Sequence, residues 1–408
     1  MAIKNVINFL PIEEIKNILP IDDWQKIGEF SKKRAIIEAQ THNHTIKLLG
    51  LESKKFVTDP ELFIKSQLLL SAYYGFDRPC IDYDFYNIES EALGQEMIYR
   101  NGFLPEVNSA KPLIAEKRDL YKLKPNISKG KARFSFVLGI NKLFKSILDI
   151  TPKIRFCGPY SIAVNLRGYK DLMFDMEDDK KFVKDLFNFL TDEVIIPWVE
   201  LQKKELDNPL VTAGGIEATA TFPNISTRTM DEWIIPYYEH TKQKLNNVTF
   251  TTCCGGISNF KNSEDFFFYQ LSTYPGIIKG YEWDIKSKGF KVFNDYAKKN
   301  NLNLRLGISA QTLLSIKTKE VPMLVRRYLE EGGAGLNYYS IFLSDIDPDT
   351  DPYIISSIVQ AVKKFGVFPI IGKIKELSFI PEHKDFKDWL TLSLSSMINP
   401  FLFQQISK

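Results

Sequence analysis

Two adjacent cysteines, Cys253 and Cys254, follow the β-branched and aromatic stretch Val248–Thr252 and precede Gly255-Gly256. A strand that ends in a glycine turn brings its thiols to the mouth of a fold, where a thiolate can hold a metal or meet a substrate. Neighbours on a strand face opposite sides, so at most one of the two is expected in the pocket. Glu217 is the carboxylate of the otherwise apolar and hydroxyl-bearing run Ile216–Phe222. Once buried, it needs a partner and acquires a raised pKa, which suits metal ligation or proton transfer. Asp82 and Asp84 stand two apart, which aims both to one side of a strand, and Tyr86 and Asn87 follow. Asp84 is the catalytic candidate here, with Tyr86 and Asn87 as substrate-binding residues. Asp284, Asn337 and Tyr338 lie at later strand ends and are assigned the same orienting role.

Other chemically capable residues read as structural. His42 and His44 in Thr-His-Asn-His-Thr are spaced for one side of a strand and are read as a solvated or hydrogen-bonded pair. Asp345–Asp351 is acid-rich, but it lacks the glycine and the final acid of a calcium loop. A turn capping the next helix is expected there.

The elements that must position these residues alternate. Before about residue 75 the chain reads as helices with lysine-rich faces, one opened by Asp59-Pro60. After that, strand-like runs at 80–86, 153–157, 216–222, 248–252, 276–284, 302–307 and 335–340 alternate with helical periodicity. The pattern predicts a parallel α/β fold, a (β/α)8 TIM barrel over 76–408 with a helical N-terminal extension over 1–75. A doubly wound open sheet is the alternative. Gly332-Gly-Ala-Gly335 follows a helix rather than opening one, so it reads as a helix end and not a phosphate loop. The 408 residues carry a net charge of +3 without a long basic run, so no nucleic-acid partner is expected. Four scattered cysteines do not make a disulfide scaffold. With no signal-like N-terminus and no long apolar run, a cytoplasmic location away from membranes is expected.

From about residue 60 to 366 the chain resembles the uroporphyrinogen decarboxylase-like superfamily, in particular its corrinoid-dependent methyltransferase branch. The resemblance is carried by Tyr86-Asn-Ile-Glu-Ser-Glu-Ala-Leu-Gly94 and by Gly158-Pro-Tyr-Ser-Ile-Ala-Val-Asn-Leu-Arg-Gly168. It continues through Ile216-Glu217 to Ile225-Ser226, Ile235-Pro-Tyr237, Thr252-Cys-Cys-Gly255 and Pro348-Asp-Thr350. Their order and spacing carry the likeness more than any one of them does.

The departures from the family pattern are specific. The arginine-rich segment with which decarboxylases grip substrate carboxylates has no counterpart. Val164 falls where a decarboxylase has its tyrosine, and Ser344 where it has a late histidine. Thiol-methylating members hold zinc with His-x-Cys and a later Cys; here those positions are Thr252, Cys254 and Ser344. The resemblance therefore implies methyl transfer between a small methyl ether or methylamine-type compound and the cobalt of a corrinoid carried by a small partner protein. Glu217 and Cys254 are the expected catalytic or zinc-holding pair, with Asp84 beside them. The alternatives are a zinc-dependent methylcobalamin:thiol methyltransferase with a rearranged ligand set, and an idle barrel that binds a tetrapyrrole or corrinoid. A homodimer is compatible with this reading.

Overall fold

Short runs of Ile, Leu, Phe and Tyr form the strands, and helices that open on Pro, Asp or Ser connect them. The computed structural model describes residues 6–8, 10–251, 255–370 and 381–395. In chain order the strands are β1 (Ile36–Ala39), β2 (Met97–Ile98), β3 (Glu106–Val107), β4 (Ile154–Cys157), β5 (Ala213–Ile216), β6 (Val248–Thr251), β7 (Ile277–Gly280), β8 (Asn303–Ile308) and β9 (Tyr339–Leu343). Among the described strands, all pairings except the small antiparallel pair β2–β3 are parallel, and an isolated antiparallel bridge joins Arg34 to Val367. The chain divides into two compact units, one formed by residues 1–82 and 276–408, the other by 83–275.

The first unit holds a four-stranded sheet in the order β1-β9-β8-β7. Register sets Ile37 beside Ile341 and Ala39 beside Leu343. Ile36, Ile37, Leu304, Leu306, Ile308, Ile341 and Leu343 are all fully buried, as a sheet covered on both faces requires. The helix Pro60–Tyr74 starts where the sequence predicts, with the Asp59 carboxylate accepting from the Glu61 and Leu62 amides at 3.1 Å. Asp351 caps the helix Pro352–Phe365 in the same way, as the acidic turn implies.

The N-terminal region is not helical throughout. It supplies β1, a full member of the sheet, which helical periodicity before residue 75 does not reveal. His42 and His44 lie on the helix His42–Leu48 rather than on a strand. At about 100° per residue, a spacing of two sends the two rings in different directions.

The second unit holds the three-stranded sheet β4-β5-β6. Gly215 sits at the middle of it because a Cβ there would press into the rings of Phe250 and Phe156. Phe250 is in turn stacked on Tyr238 at a centroid distance of 3.8 Å. The run 80–86 forms no strand, contrary to expectation. Its polar groups are engaged by side chains instead: Ser71 accepts from the Cys80 amide, and Asp84 takes an arginine described below. The parallel α/β architecture agrees with the sequence reading.

Candidate active site

Glu217 is the first residue after β5, at the carboxyl end of the sheet where parallel α/β folds place their reactive groups. The neighbouring strand β4 ends at Cys157 and turns through Gly158 into the helix Pro159–Arg167. Glu217 lies across the start of that helix. Its Oε1 accepts from the Tyr160 amide at 3.1 Å and its Oε2 from the Ser161 amide at 2.7 Å. These are two of the amides that a helix N-terminus leaves unpaired, and the helix dipole favours a carboxylate there. Gly158 makes the approach possible, because a Cβ at this position would collide with the Glu217 carboxylate. Ser161 and Thr219 hydroxyls lie 3.0 Å apart and complete the turn.

Glu217 is wholly buried. Burial pushes its carboxyl up to about 7 against the donors Ser161, Tyr160 and Tyr238, which pull it down. A carboxyl balanced there can give or take a proton at neutral pH.

A second buried carboxylate stands nearby. Glu89, on the helix Ile88–Leu93, accepts from the Cys157 amide at 2.9 Å through Oε1, while Oε2 has no hydrogen-bond partner among the described residues. Burial pushes Glu89 up to about 8. Cys157 feels both acids: burial first, then Glu89 and Glu217, hold its thiol well above the usual range, so it is no thiolate. Sequence reasoning passed over Glu89. The signal available was Glu89-Ser-Glu91 on one short helix, where a spacing of two sends the acids to different faces, but nothing local says which one turns inward.

Asp84 is buried and ion-paired. Arg133 grips it through two bonds of 2.6 and 2.7 Å, and the Asn87 amide donates to it at 3.1 Å. Arg133 Nε donates to Glu91 as well. Arg133, which the sequence reading did not single out, is the centre of this network. Asn87 also donates to the Pro105 carbonyl, and the Tyr86 carbonyl accepts from Asn165.

The three candidates in the other unit are scattered. Asp284 is buried within the helix Glu282–Lys288. Asn337 and Tyr338 precede β9, because that strand runs from Tyr339 rather than from Gly335. They therefore sit at its amino end, opposite the end where Ser344 emerges, and Arg78 donates to the Tyr338 hydroxyl at 3.3 Å. Cys254 and Thr252 lie outside the described residues. Among the described residues no three His, Cys, Asp or Glu side chains gather as a metal site would need. Cys80, like Cys157, is buried, and burial raises its thiol to about 12.

A family model described as uroporphyrinogen decarboxylase (URO-D) matches residues 39–257, more than half of the chain. Among solved structures, a methyltransferase from Methanosarcina mazei is similar with a TM-score of 0.61 at 15% identity, over 82% of this chain and 94% of that one. At that identity the likeness is one of fold. No curated protein matches. No described helix is long and apolar enough to cross a membrane.

Proposed function

We propose, from the premise that this chain belongs to the uroporphyrinogen decarboxylase family, that it is a methyltransferase moving a methyl group between a small methyl ether or methylamine-type compound and the cobalt of a corrinoid borne by a small partner protein. The proposal takes the parallel strands as parts of one (β/α)8 barrel, the architecture that puts strand-end groups such as Glu217 around a common mouth. The observation that carries it is Glu217, a wholly buried carboxyl poised near 7 at a helix start. In demethylation the bond from carbon to oxygen or nitrogen breaks, and the cobalt electron pair forms the new bond to carbon. The heteroatom keeps the old pair and needs a proton. A neutral Glu217 supplies one, since each oxygen that accepts a backbone amide retains a second lone pair.

The described residues do not fit a zinc site. Among the described residues no cluster of three His, Cys, Asp or Glu side chains stands with Glu217, and Cys254 lies outside them. The thiol-methylating alternative has no further support among the described residues. Decarboxylation of a tetrapyrrole has little support either, because no arginine segment for gripping several carboxylates is recognised in the sequence.

The test is to mix the whole protein with cob(I)alamin and a panel of methyl ethers and methylamines, and to follow the cobalt absorption spectrum. Conversion to methylcobalamin with at least one donor is expected. If corrinoid binds and no donor or thiol ever changes the spectrum, the methyltransferase reading fails and the carrier alternative stands. Carbon dioxide release from uroporphyrinogen would overturn it in favour of the decarboxylase.

A further inference from the structure

Three helices of the unit formed by residues 1–82 and 276–408 bound a pocket of about 250 Å3. Tyr73 and Tyr74 come from the end of the helix Pro60–Tyr74, Ser356 and Gln360 from the helix Pro352–Phe365, and Trp389 from the helix Phe386–Ser395. Glu382, His383 and Lys384, in the stretch that leads into that last helix, complete the described lining. None of these residues belongs to a strand. The walls are fastened to one another. The Tyr73 hydroxyl donates to the Lys384 carbonyl at 2.8 Å. The Gln360 side chain donates to the Glu382 carbonyl at 2.6 Å and accepts from the Glu382 amide at 3.0 Å. Ser356 Oγ lies 3.2 Å from His383 Nδ1, and His44 Nε2 lies 2.6 Å from the Tyr74 hydroxyl. These bonds set the shape of the pocket in advance, which lowers the cost of filling it. They also engage its polar side chains, so rings and charge are what remains to recognise a ligand.

Around Tyr73 the rings of Tyr74, Trp389 and His383 have their centroids at 4.7, 5.5 and 6.2 Å and their planes inclined by 55°, 64° and 63°. Rings set at such angles bound a space instead of stacking into a layer. Charge acts on the same space. Glu382 lines it, and Asp385 and Asp351 are felt at the Tyr73 hydroxyl, which burial first and then these two acids hold well above its usual range. Asp351 and Asp385 each accept a helix-capping amide, from Tyr353 and Lys387, and keep their charge while doing so. Against these three carboxylates the lining sets one ammonium, that of Lys384. Aromatic faces attract cations, most of all those that shed their water easily. A nitrogen carrying only methyl groups has no N–H to satisfy and presents an apolar surface with a positive charge beneath it. The volume is below the roughly 300–1,000 Å3 of pockets that take drug-sized ligands, so a compact head group is what fits.

We propose that this pocket binds a small molecule bearing a quaternary ammonium group, with Tyr73, Tyr74 and Trp389 around the methyl groups and Glu382 supplying the opposite charge. The inference stands on the pocket itself and does not depend on methyl transfer.

Choline is the probe. Its control is the uncharged alcohol with a tert-butyl group in place of the trimethylammonium group. Calorimetry on the whole protein is expected to show choline binding at least about tenfold more tightly than the control. Tyr73→Leu and Trp389→Leu should each weaken choline binding at least about fivefold. Tyr73→Phe keeps the ring and loses only the bond to the Lys384 carbonyl, so it should stay within about twofold of wild type. Trp389 is one of five tryptophans. Choline should change the tryptophan fluorescence of wild type but not that of Trp389→Phe, which still binds by calorimetry. No binding of choline, equal affinity for choline and its control, or binding that the Tyr73 and Trp389 variants leave unchanged overturns the proposal. The first two outcomes are read on unmodified protein, so they decide the matter even where a variant fails to fold. Phosphatidylcholine vesicles present the same group on a surface. The protein is expected to stay in solution beside them, and sedimentation with them would overturn a free small molecule as the ligand in favour of a lipid surface. Failure here with successful cobalt methylation would remove the site and leave the proposed function intact, and the converse holds.

Discussion

Glu217 and Glu89 share a burden, since each is an acid held without solvent and each is pushed toward its neutral form. General acid catalysis by a positioned carboxyl contributes roughly 100-fold or more. Glu217→Gln is therefore expected to slow methyl transfer at least about 100-fold. In the wild type the acid form is the donor, so the rate should fall as pH rises through about 7, and the variant should lack that limb. Rate measurements between pH 5.5 and 8.5 (roughly the span in which such a group titrates) check both. Glu89 bears on stability. Its folded value of about 8 is above the ordinary 4.5, so the folded state holds its proton more tightly than the unfolded one. Its contribution is fully present below about 4.5 and is lost as pH rises through about 8. Each tenfold change in proton affinity is worth about 1.4 kcal/mol. Glu89→Gln should flatten that pH dependence and leave the variant more stable than wild type at high pH by on the order of 1–3 kcal/mol. Denaturant midpoints on the acid and alkaline sides of the window would show it.

Between residues and the whole lie the junctions of strand and helix. The turn Cys157-Gly158-Pro159 works because glycine yields room to an acid from the adjacent strand, while proline starts the helix and the acid takes its free amides. Gly158→Ala must displace the Glu217 carboxylate. Overpacking of this kind costs about 1–3 kcal/mol, and the acid loses its aim, so activity should fall along with stability. A Glu217→Gln background, where that activity is already gone, isolates the stability part in thermal or denaturant melts. The Asp84–Arg133 pair joins the segment after residue 82 to the start of the helix Phe134–Leu148. Replacing Asp84 takes two bonds from the buried Arg133 and leaves it Glu91, a loss of up to about 3–5 kcal/mol. Asp84→Ala is expected to lose that much, while the double variant Asp84→Leu, Arg133→Met should recover most of it. A double-mutant cycle by denaturant unfolding measures the difference.

At the scale of the whole chain, the two compact units are not consecutive in sequence, for the first is made from both ends. β1 from the N-terminal region lies beside β9 from near residue 340. A protein starting at residue 76 would expose one edge of β9 and lose Ile36 and Ile37 from the core. Such a truncation is expected to lose cooperative unfolding in circular dichroism melts. A cooperative transition equal to that of the full chain would instead restore residues 1–75 as a separable extension.

The sequence by itself determined the parallel α/β class and several helix starts and ends, whereas the run 216–222 that it marks as a strand lies almost wholly beyond β5 (Ala213–Ile216), which leaves Glu217 after the strand rather than in it. The class and those helix ends are local matters: caps at Asp59 and Asp351, the Gly158-Pro159 turn, and apolar periodicity are written within a few residues of where they act. Family likeness was legible too, because it rests on the order of such local elements. Only the tertiary structure decided which polar residues meet. Asp84 meets Arg133, forty-nine positions away, a contact that nothing near either residue announces. Asn337 and Tyr338 changed ends of a strand because β9 begins at Tyr339, and apolar alternation does not fix where a strand starts to within a few residues. Glu89 gained its part from Cys157, and Tyr73 from Lys384, about three hundred residues along the chain. Burial and proximity are properties of the folded whole, and they, more than residue type, set which acid holds a proton and which acceptor is left open.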